Sequence, residues 1–543
     1  MEKRWYLTFA VIVLSCLITA GAAAQEAQLG KVEFQTSGSK EAQASFLRGL
    51  AALHSFWYEE ALEAFKASTK SDPDFMMGYW GEAMAYNHPL WGEQDTPTAR
   101  DVLGKIRDIP KLSTRERAYL NAVKLLYGEG DKRARDAAYS AAMEKIYLDY
   151  PDDLDAAAFY ALSLLGQVRP EEKSYRLQAR AGAIALEVYR QNPNHPGAAH
   201  YIIHAFDDPE HAILALPAAR RYADIAPEAH HARHMPSHIF LQLGMWPEAA
   251  ASNESAWEVS NTWMKRKNLS PNVRDYHSLH WLSYVYLQQG RYRKAEELLA
   301  LMKQTMSDTT YDNKLRPGYY ENNYANMAAA FVIETERWNL ANTLFPASDS
   351  QVANGAVMSG SHSHGALPAG SGDGSTVRSS GRSGTLPSFV RGFASASYGS
   401  QTIVNVNAAS ETLSIGELEV IAVGASAKGD HQKAITAMRR AVDLEEKLGP
   451  PSGPPSLIKP PHELFGEVLL HANKPTEAAE QFKASLLRQP NRARSLLGAA
   501  RAAAKSGDRE AASAMYQKFL TQWQQADTDL PELKEAKDYL NKN

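Results

Sequence analysis

The chain has 543 residues, a formal net charge of −4 at pH 7, and 44% hydrophobic and 22% charged residues. This slight acidic balance excludes a basic surface able to neutralise nucleic-acid phosphates, so we expect no nucleic-acid partner. A chain of this length usually divides into several globular domains, unless it is built from repeated units that each pack only on their neighbours.

The first residues predict an export signal. Two basic residues precede an apolar stretch from 5 to 18, which is shorter than a membrane span, and small residues follow up to Ala24. We therefore expect residues 1–24 to be a signal peptide and the protein to be periplasmic or secreted, with a lipid anchor on Cys16 as the minor alternative. No later segment is apolar enough to cross a bilayer, so the mature chain should have no membrane span.

Cys16 is the single cysteine of the sequence, so the mature chain would have none. That excludes disulfides, thiolate catalysis and cysteine-ligated zinc. The sequence also lacks a GxSxG serine elbow, a glycine-rich phosphate loop and an HExxH motif, which disfavours a serine hydrolase, a nucleotide enzyme and a metzincin-like protease.

From about residue 42 the pattern is helix, short turn, helix, repeated along the chain. In the first unit, small and aromatic residues recur at helical spacing: Gly49, Tyr58, Ala61, Phe65 and the terminating Pro73. The same pattern returns around Gly244, Gly290 and Gly507, and Pro227 follows Pro193 by 34 residues. We expect about ten helical hairpins, which begin near residues 42, 76, 116, 154, 196, 230, 276, 322, 415, 459 and 493.

This pattern resembles the tetratricopeptide (TPR) family, in which small residues let two antiparallel helices touch and a proline closes each unit. The resemblance covers most of the mature chain and implies an all-α solenoid with a concave groove. The stretches LHSFWYEEALEAF, YWGEAMAYNHPLW, RHMPSHIF and LHWLSYVYLQQGRY are also similar to secreted bacterial TPR-repeat proteins without an assigned activity. Because this scaffold serves many roles, the resemblance implies a fold and leaves the function open.

Histidines recur in pairs in three consecutive units, and each pair shares one helix face. The six residues are His200, His204, His234, His238, His277 and His280. The second pair follows the first by 34 residues, one repeat length, and the resemblance places all six on the groove wall. Imidazole is the commonest metal ligand in proteins, so we expect these residues to bind a divalent transition metal such as zinc, copper or iron. Nearby carboxylates could complete or orient the site: Asp207, Asp208 and Asp275.

Two neighbouring histidines, His230 and His231, fall in an expected turn and should face solvent. Pro236 between the members of the second pair also suggests that His234 precedes the helix proper, which would loosen its pairing with His238. The competing interpretation of all these histidines is ordinary capping, stacking or solvation on helices.

Other polar and aromatic side chains are candidate ligand-binding residues by the same counting of helix faces. They are His54, Trp80, Glu82, Asn87, His88, Tyr320, Asn323, Asn326, Glu463 and Glu467. Core packing is the alternative for the tryptophan, and a solvated helix face is the alternative for the two C-terminal glutamates.

Residues 347–410 interrupt the repeats with a Gly/Ser-rich stretch that has few large apolar residues. Such a composition cannot bury enough surface to become ordered, so we expect a flexible insert. It would separate an N-terminal TPR-like array at 40–346, which carries the histidines, from a C-terminal array at 411–543.

Three functions remain open from the sequence. The first is an exported scaffold that binds a peptide or protein partner in its groove, with or without a histidine-ligated metal ion. The second is a metal-dependent enzyme that uses the same pocket for ligation and proton transfer. The third is a purely structural assembly protein in which the histidines are incidental.

Overall fold

The computed structural model describes residues 28–169, 174–307, 318–346, 386–398 and 413–542. Within these ranges the chain is almost entirely α-helical, and β1 (Asn87–His88) pairs with β2 (Glu93–Gln94) in one short antiparallel hairpin. The predicted all-α array of helical hairpins is therefore confirmed. The expected signal peptide and most of the Gly/Ser-rich insert lie outside the described residues.

The helices up to residue 306 are α1 (Lys40–His54), α2 (Tyr58–Ser71), α3 (Met76–Met84), α4 (Thr96–Leu103), α5 (Thr114–Leu126), α6 (Lys132–Asp149), α7 (Leu154–Leu165), α8 (Arg176–Gln191), α9 (Pro196–Ala205), α10 (Ala212–Ile225), α11 (His230–His234), α12 (Pro236–Gln242), α13 (Trp246–Arg266), α14 (Tyr276–Gln288) and α15 (Tyr292–Met306). Those that follow are α16 (Tyr319–Thr335), α17 (Ala341–Leu344), α18 (Leu386–Ser397), α19 (Ile415–Ala427), α20 (His431–Glu445), α21 (Pro461–His471), α22 (Pro475–Arg488), α23 (Ala493–Ser506), α24 (Arg509–Gln522) and α25 (Pro531–Lys542). The start of each predicted hairpin agrees with a helix start, and the largest difference is between 322 and the observed Tyr319.

Helix starts are fixed by side chains that accept hydrogen bonds from the first-turn amides. Ser113 and Glu116 form a reciprocal capping box at α5, and Asp153 caps α7. Asp275 caps α14 in the same way, accepting from the Ser278 amide at 3.0 Å. This last cap places a buried carboxylate beside the histidine-bearing part of the fold.

The hairpins close because small residues leave room for one aromatic ring between helices. A Cβ added at Gly81 of α3 would lie 2.3 Å from the Phe65 ring of α2, and one added at Gly498 of α23 would lie 2.2 Å from Phe482 of α22. The aromatic ring fills the space that a larger side chain would need. Phe65 also faces Gly49 of the predicted first unit, where an added Cβ would lie 2.8 Å from the same ring.

The hairpin after Pro227 has a divided first helix, α11 and α12. Pro236 cannot donate a backbone hydrogen bond, which separates the two short helices. The chain nevertheless keeps its helical course, because the Met235 amide donates to the His231 carbonyl at 2.9 Å and the His238 amide donates to Met235 at 3.1 Å. Histidines on both sides of the proline therefore remain on one side of the hairpin.

The C-terminal helices pack against the middle of the chain. The Trp246 indole of α13 donates to the Asn491 carbonyl at 2.9 Å, and the Trp523 indole donates to the Gln288 carbonyl at 3.0 Å. None of the described helices combines the length and the apolar character that a membrane span requires.

The prediction of a flexible segment through residue 410 is wrong for residues 386–398. This stretch forms α18, and its Val390 and Phe393 side chains are buried. The Phe393 ring packs 5.5 Å from the ring of Trp338. The apolar pair at i, i+3 gives this short stretch a face to bury, unlike the glycine and serine residues before it.

Candidate metal centre

Six imidazoles from three consecutive hairpins meet in the interior of the chain. The six residues are His200 and His204 of α9, His231 and His234 of α11, His238 of α12 and His277 of α14. His200 and His234 are fully buried, and only His204 is partly exposed. The expectation that the histidines line an open groove is wrong, because the rings lie between helices.

The first trio consists of His200, His204 and His231. The Nε2 atom of His200 lies 3.0 Å from Nε2 of His204 and 3.0 Å from Nε2 of His231. The other nitrogen of His200 donates to the His54 backbone carbonyl at 2.7 Å. With that proton on Nδ1, the neutral His200 ring has one lone pair, on Nε2. The rings of His204 and His231 both point at this atom, but its lone pair can accept only one well-directed hydrogen bond.

The second trio consists of His234, His238 and His277. His234 Nδ1 donates to Asn253 Oδ1 at 2.7 Å, and the amide orientation is fixed because Asn253 Nδ2 donates to the Ala249 carbonyl. His238 Nδ1 donates to Asp207 Oδ2 at 2.6 Å. A neutral ring that donates from Nδ1 carries its lone pair on Nε2, and the two Nε2 atoms face each other at 3.1 Å. A proton or a cation between two such atoms removes the repulsion of their lone pairs.

The third member of this trio, His277, completes a three-nitrogen set. Its ring centroid lies 4.7 Å from that of His234, and the ligand atoms of the trio all lie within 4.8 Å of one another. Two nitrogens held about 2.0–2.1 Å from one ion at a tetrahedral angle would be about 3.3–3.4 Å apart. The observed separation of 3.1 Å between His234 and His238 is close to that value.

Burial lowers the pKa of three of the six rings, those of His200, His231 and His234. It lowers the pKa of His200 to about 3, even though the hydrogen bond to the His54 carbonyl opposes the shift. Burial and the neighbouring histidines lower the pKa of His231 well below its usual range, and burial also lowers the pKa of His234. Neutral imidazole is the form that ligates a metal, so the fold presents these nitrogens ready for a cation at neutral pH.

The two trios are direct neighbours. The ring centroids of His204 and His238 are 6.0 Å apart, and those of His231 and His234 are 6.1 Å apart. The trios share no residue, yet each contributes two rings to this contact.

An aromatic shell encloses the centre. The Phe56 ring lies 4.3 Å from the His200 ring and stacks on His231 at 5.7 Å. On the other side, the Trp281 ring lies 4.2 Å from His238. Such a shell excludes water and strengthens electrostatic interactions inside it.

A third group, His54, Asp155 and His195, is built around one buried carboxylate. His54 Nε2 donates to Asp155 Oδ1 at 2.8 Å, and His195 Nε2 lies 3.4 Å from the same oxygen. His195 Nδ1 accepts from the Ala198 amide at 3.1 Å, so its proton is on Nε2, towards the carboxylate. The group fixes His54, whose carbonyl orients His200.

Asp155 is ionised in this arrangement. Burial raises its pKa, but the hydrogen bonds from His195 and His54 outweigh burial and hold the pKa below its usual range. Burial lowers the pKa of His54 to about 4 against the opposing effect of Asp155. The pair therefore consists of a carboxylate and a neutral ring, as expected of a structural hydrogen bond.

Five of the six histidines proposed from the sequence lie in the two trios, and His280 does not. Burial lowers the pKa of His280 to about 4, opposed by its hydrogen bond with Asn323. The sixth place belongs to His231, which we expected in a solvent-facing turn but which is buried in α11. The spacing of three and four residues in His231, His234 and His238 is a helical signal that could have revealed it.

The remaining candidate ligand-binding residues in the N-terminal half have partners within the protein. Trp80 is fully buried in the aromatic core, 5.6 Å from the Tyr119 ring. Glu82 lies 3.7 Å from Lys66, Asn87 accepts from Gln94 at 2.9 Å, and His88 donates to Glu93 at 3.1 Å.

The candidates of α16 also bond within the chain. Tyr320 donates to the Asn272 carbonyl at 2.9 Å, and the Asn323 and Asn326 amides each donate to the carbonyl four residues before them. These three side chains are not brought to the histidine centre.

The two C-terminal glutamates belong to a buried ion network and do not face a groove. Glu463 accepts from Arg492 at 2.8 Å and from Lys459 at 3.0 Å, and Glu467 accepts from Lys459 at 2.6 Å. Arg492 also donates to Glu334 of α16 and to the Tyr284 hydroxyl of α14. The network therefore joins the C-terminal helices to the hairpin that carries His277.

No protein-family model matches the sequence, and no curated protein is similar to it. Among solved structures, the chain is similar to the Cut9–Hcn1 hetero-tetramer of the APC/C, with 12% identity, a TM-score of 0.34, and coverage of 92% of this chain and 75% of that one. It is also similar to the TPR domain of P58(IPK), with 13% identity, a TM-score of 0.21, and coverage of 92% and 98%. Yeast Tom70 matches at 10% identity with a TM-score of 0.23 over 93% and 89%. At these values the likeness identifies no function.

Proposed function

We propose that this protein binds two transition-metal ions, one on each histidine trio. The supporting observation is the 3.1 Å approach of two buried Nε2 atoms, those of His234 and His238, whose other nitrogens both donate to fixed acceptors, with His277 beside them. Neutral imidazoles arranged in this way offer converging lone pairs, which one cation can share.

The outer contacts of the trios support the same proposal. Imidazoles that ligate a metal usually donate their second N–H to a carboxylate or a backbone carbonyl, which fixes the ring and its tautomer. His238 does so to Asp207 and His200 does so to the His54 carbonyl. With nitrogen ligands alone, the suitable ions are zinc, copper, iron and nickel.

Three ligands per ion leave a coordination position open, which is the arrangement of catalytic and not of structural metal sites. This favours the metal-dependent enzyme over a purely structural role for the centre. Binding of a peptide or protein partner in a groove stays a prediction, since the histidines expected to line that groove are buried. Export to the periplasm or the medium is part of the proposal, supported by the basic and apolar first residues.

The test is elemental analysis of the protein purified from the compartment to which it is exported. We expect two equivalents of transition metal per chain, and His238→Ala should lose one of them while keeping its helical circular dichroism. The matched control is His280→Ala, which removes a partly buried histidine outside both trios and should keep two ions. Background metal in the native protein, with no binding when metal is added back, would refute the proposal.

A thermal melt gives a second and independent measurement. Metal that binds only the folded chain stabilises it by about 4.1 kcal/mol at a free concentration 1,000 times the Kd. Chelator should therefore lower the Tm of the native protein but leave that of a variant lacking both trios unchanged. Equal shifts in both proteins would show that the chelator acts elsewhere.

A further inference from the structure

We propose that the two trios form one dinuclear copper centre that binds dioxygen between its ions. This inference rests on the metal binding proposed above, and adds the number of ions acting together, their identity and the ligand.

The contact between the trios supports a joint centre. Rings of different trios lie 6.0 and 6.1 Å apart between centroids, and the ligand atoms of each trio lie within 4.8 Å of one another. Ions placed at these two points of convergence would be on the order of 4–5 Å apart, compared with about 3.5–4 Å in two-metal sites that share a ligand. One diatomic molecule can span such a separation.

The charge of the surroundings favours copper. An imidazole brings no negative charge when it ligates a metal, so two divalent ions on six such ligands would bring four positive charges into a buried site. Asp207 accepts a hydrogen bond from one ligand, His238. Asp275 lies 3.1 Å from His230, which belongs to neither trio. Burying a charge away from water costs several kcal/mol per ion, so monovalent ions are less costly in this place. Among the metals that imidazole suits, copper is the one with a stable monovalent state.

A small cavity lies beside the first trio. It measures about 30 Å³ and is mainly apolar, with Leu53, Met84 and Phe159 in its lining, while Asn87, Asp136 and Ser163 add polar groups. Phe56 also lines this cavity and separates it from the histidines, since the same ring lies 4.3 Å from that of His200. A cavity of this size admits one molecule as small as water or dioxygen. Its mainly apolar lining suits dioxygen.

The backbone of Phe56 is also unusual. Its φ is +53°, in the left-handed region that residues other than glycine rarely adopt. The chain holds this residue at a strained turn, where its ring divides the cavity from the metal centre.

The redox step balances without another reagent. Each of two Cu(I) ions gives one electron to dioxygen, which becomes peroxide between two Cu(II) ions, and no proton or external reductant is consumed.

The experiment begins with the full-length protein loaded anaerobically with two equivalents of Cu(I), to which oxygen is then added. We expect uptake of one dioxygen per two copper ions, and loss of nearly all the electron paramagnetic resonance (EPR) signal that two separate Cu(II) ions would give, because adjacent ions couple through the bridge. His238→Ala, which keeps one complete trio, should instead show the full signal of a single Cu(II) ion after oxidation.

The outcomes separate the two proposals. Two bound copper ions with the full signal of isolated Cu(II) would overturn the dinuclear centre and leave metal binding intact. A native protein that takes up two zinc ions in preference to copper would overturn the copper assignment. Failure to bind any metal would refute the proposed function itself.

The cavity has its own test in Met84→Phe, which fills it without touching a histidine. Copper stoichiometry should stay at two while oxygen uptake becomes slower. An unchanged rate would show that dioxygen does not enter through this cavity.

Discussion

The carboxylate of Asp207 should control the affinity of one metal ion without contacting it. Asp207 Oδ2 accepts from His238 Nδ1 at 2.6 Å, and Oδ1 accepts from Gln242 Nε2 at 3.2 Å. In Asp207→Asn, the new side-chain oxygen would still accept from Gln242 Nε2. The NH₂ group of the asparagine would then face His238 Nδ1. The ring would then have to accept at Nδ1 and carry its proton on Nε2, the atom that should bind the metal.

Loss of such an outer partner weakens metal binding about 10- to 100-fold, or about 1.4–2.8 kcal/mol. We expect the upper end of this range, because the hydrogen bond is short and the His238 side chain is 1% exposed. The assay is competition with a chromophoric chelator, which resolves two affinities per chain. One of the two should fall in Asp207→Asn and the other should stay.

The matched control is Asp208→Asn, which removes the same charge one residue away. The Asp208 carboxylate accepts from His211 at 2.9 Å and from the Tyr175 hydroxyl, outside both trios. We expect both affinities to stay within about twofold of the native values, since surface substitutions away from a site change energies by less than about 0.5 kcal/mol. Equal losses in the two variants, or none in Asp207→Asn, would refute the role assigned to Asp207.

Three further predictions concern stability. Gly81→Ala should destabilise the fold by about 1–3 kcal/mol in a denaturant titration, because its Cβ would lie 2.3 Å from the Phe65 ring; an unchanged midpoint would contradict the packing described. Arg492→Met should cost about 3–5 kcal/mol, since it leaves Glu463 and Glu334 buried with one cation partner fewer, and a neutral effect would show that the network adds nothing. Burial raises the pKa of Glu463, but Arg492 and Lys459 outweigh burial and hold the pKa below the ordinary value of 4.5. The Glu463 carboxylate therefore contributes fully to the free energy of unfolding above pH 4.5, and this contribution is lost as the pH falls below that value. The Tm of Glu463→Gln should therefore fall less steeply than that of the native protein between pH 5 and pH 3, and parallel curves would exclude this cause.

Much of the fold could be predicted from the sequence because hairpin packing leaves a local pattern. Gly49 faces the Phe65 ring of the partner helix, and the two residues are close enough in sequence to be recognised together. Helix starts followed from the same periodicity. The helix α18 was missed because its neighbours are Gly/Ser-rich, and only its own apolar pair distinguishes it.

The candidate centre was predicted in part, for a related reason. The repeat offset between His200 and His234 is a sequence property, and it placed both pairs in equivalent positions. His231 was missed because Pro236 suggests a turn, whereas the amide of Met235 keeps the chain helical. His280 was wrongly included because counting along one helix cannot show that α16 offers it Asn323.

Long-range packing was outside the reach of sequence reasoning. Glu463 was expected on a groove face, but it bonds to Arg492, which in turn reaches Glu334 and Tyr284 in the N-terminal array. Residues so distant in sequence have no periodic relation to one another. Only the folding of the C-terminal helices onto the middle of the chain brings them together.

The histidines of the centre come from three successive hairpins, and this has a mechanical consequence. An array of repeats ordinarily opens one unit at a time, because each unit is held only by its neighbours. Ions bound between α9, α11, α12 and α14 would oblige these hairpins to open together or not at all. Occupied by metal, the middle of this chain would behave as a single rigid block, and the units towards either end would be the first to open.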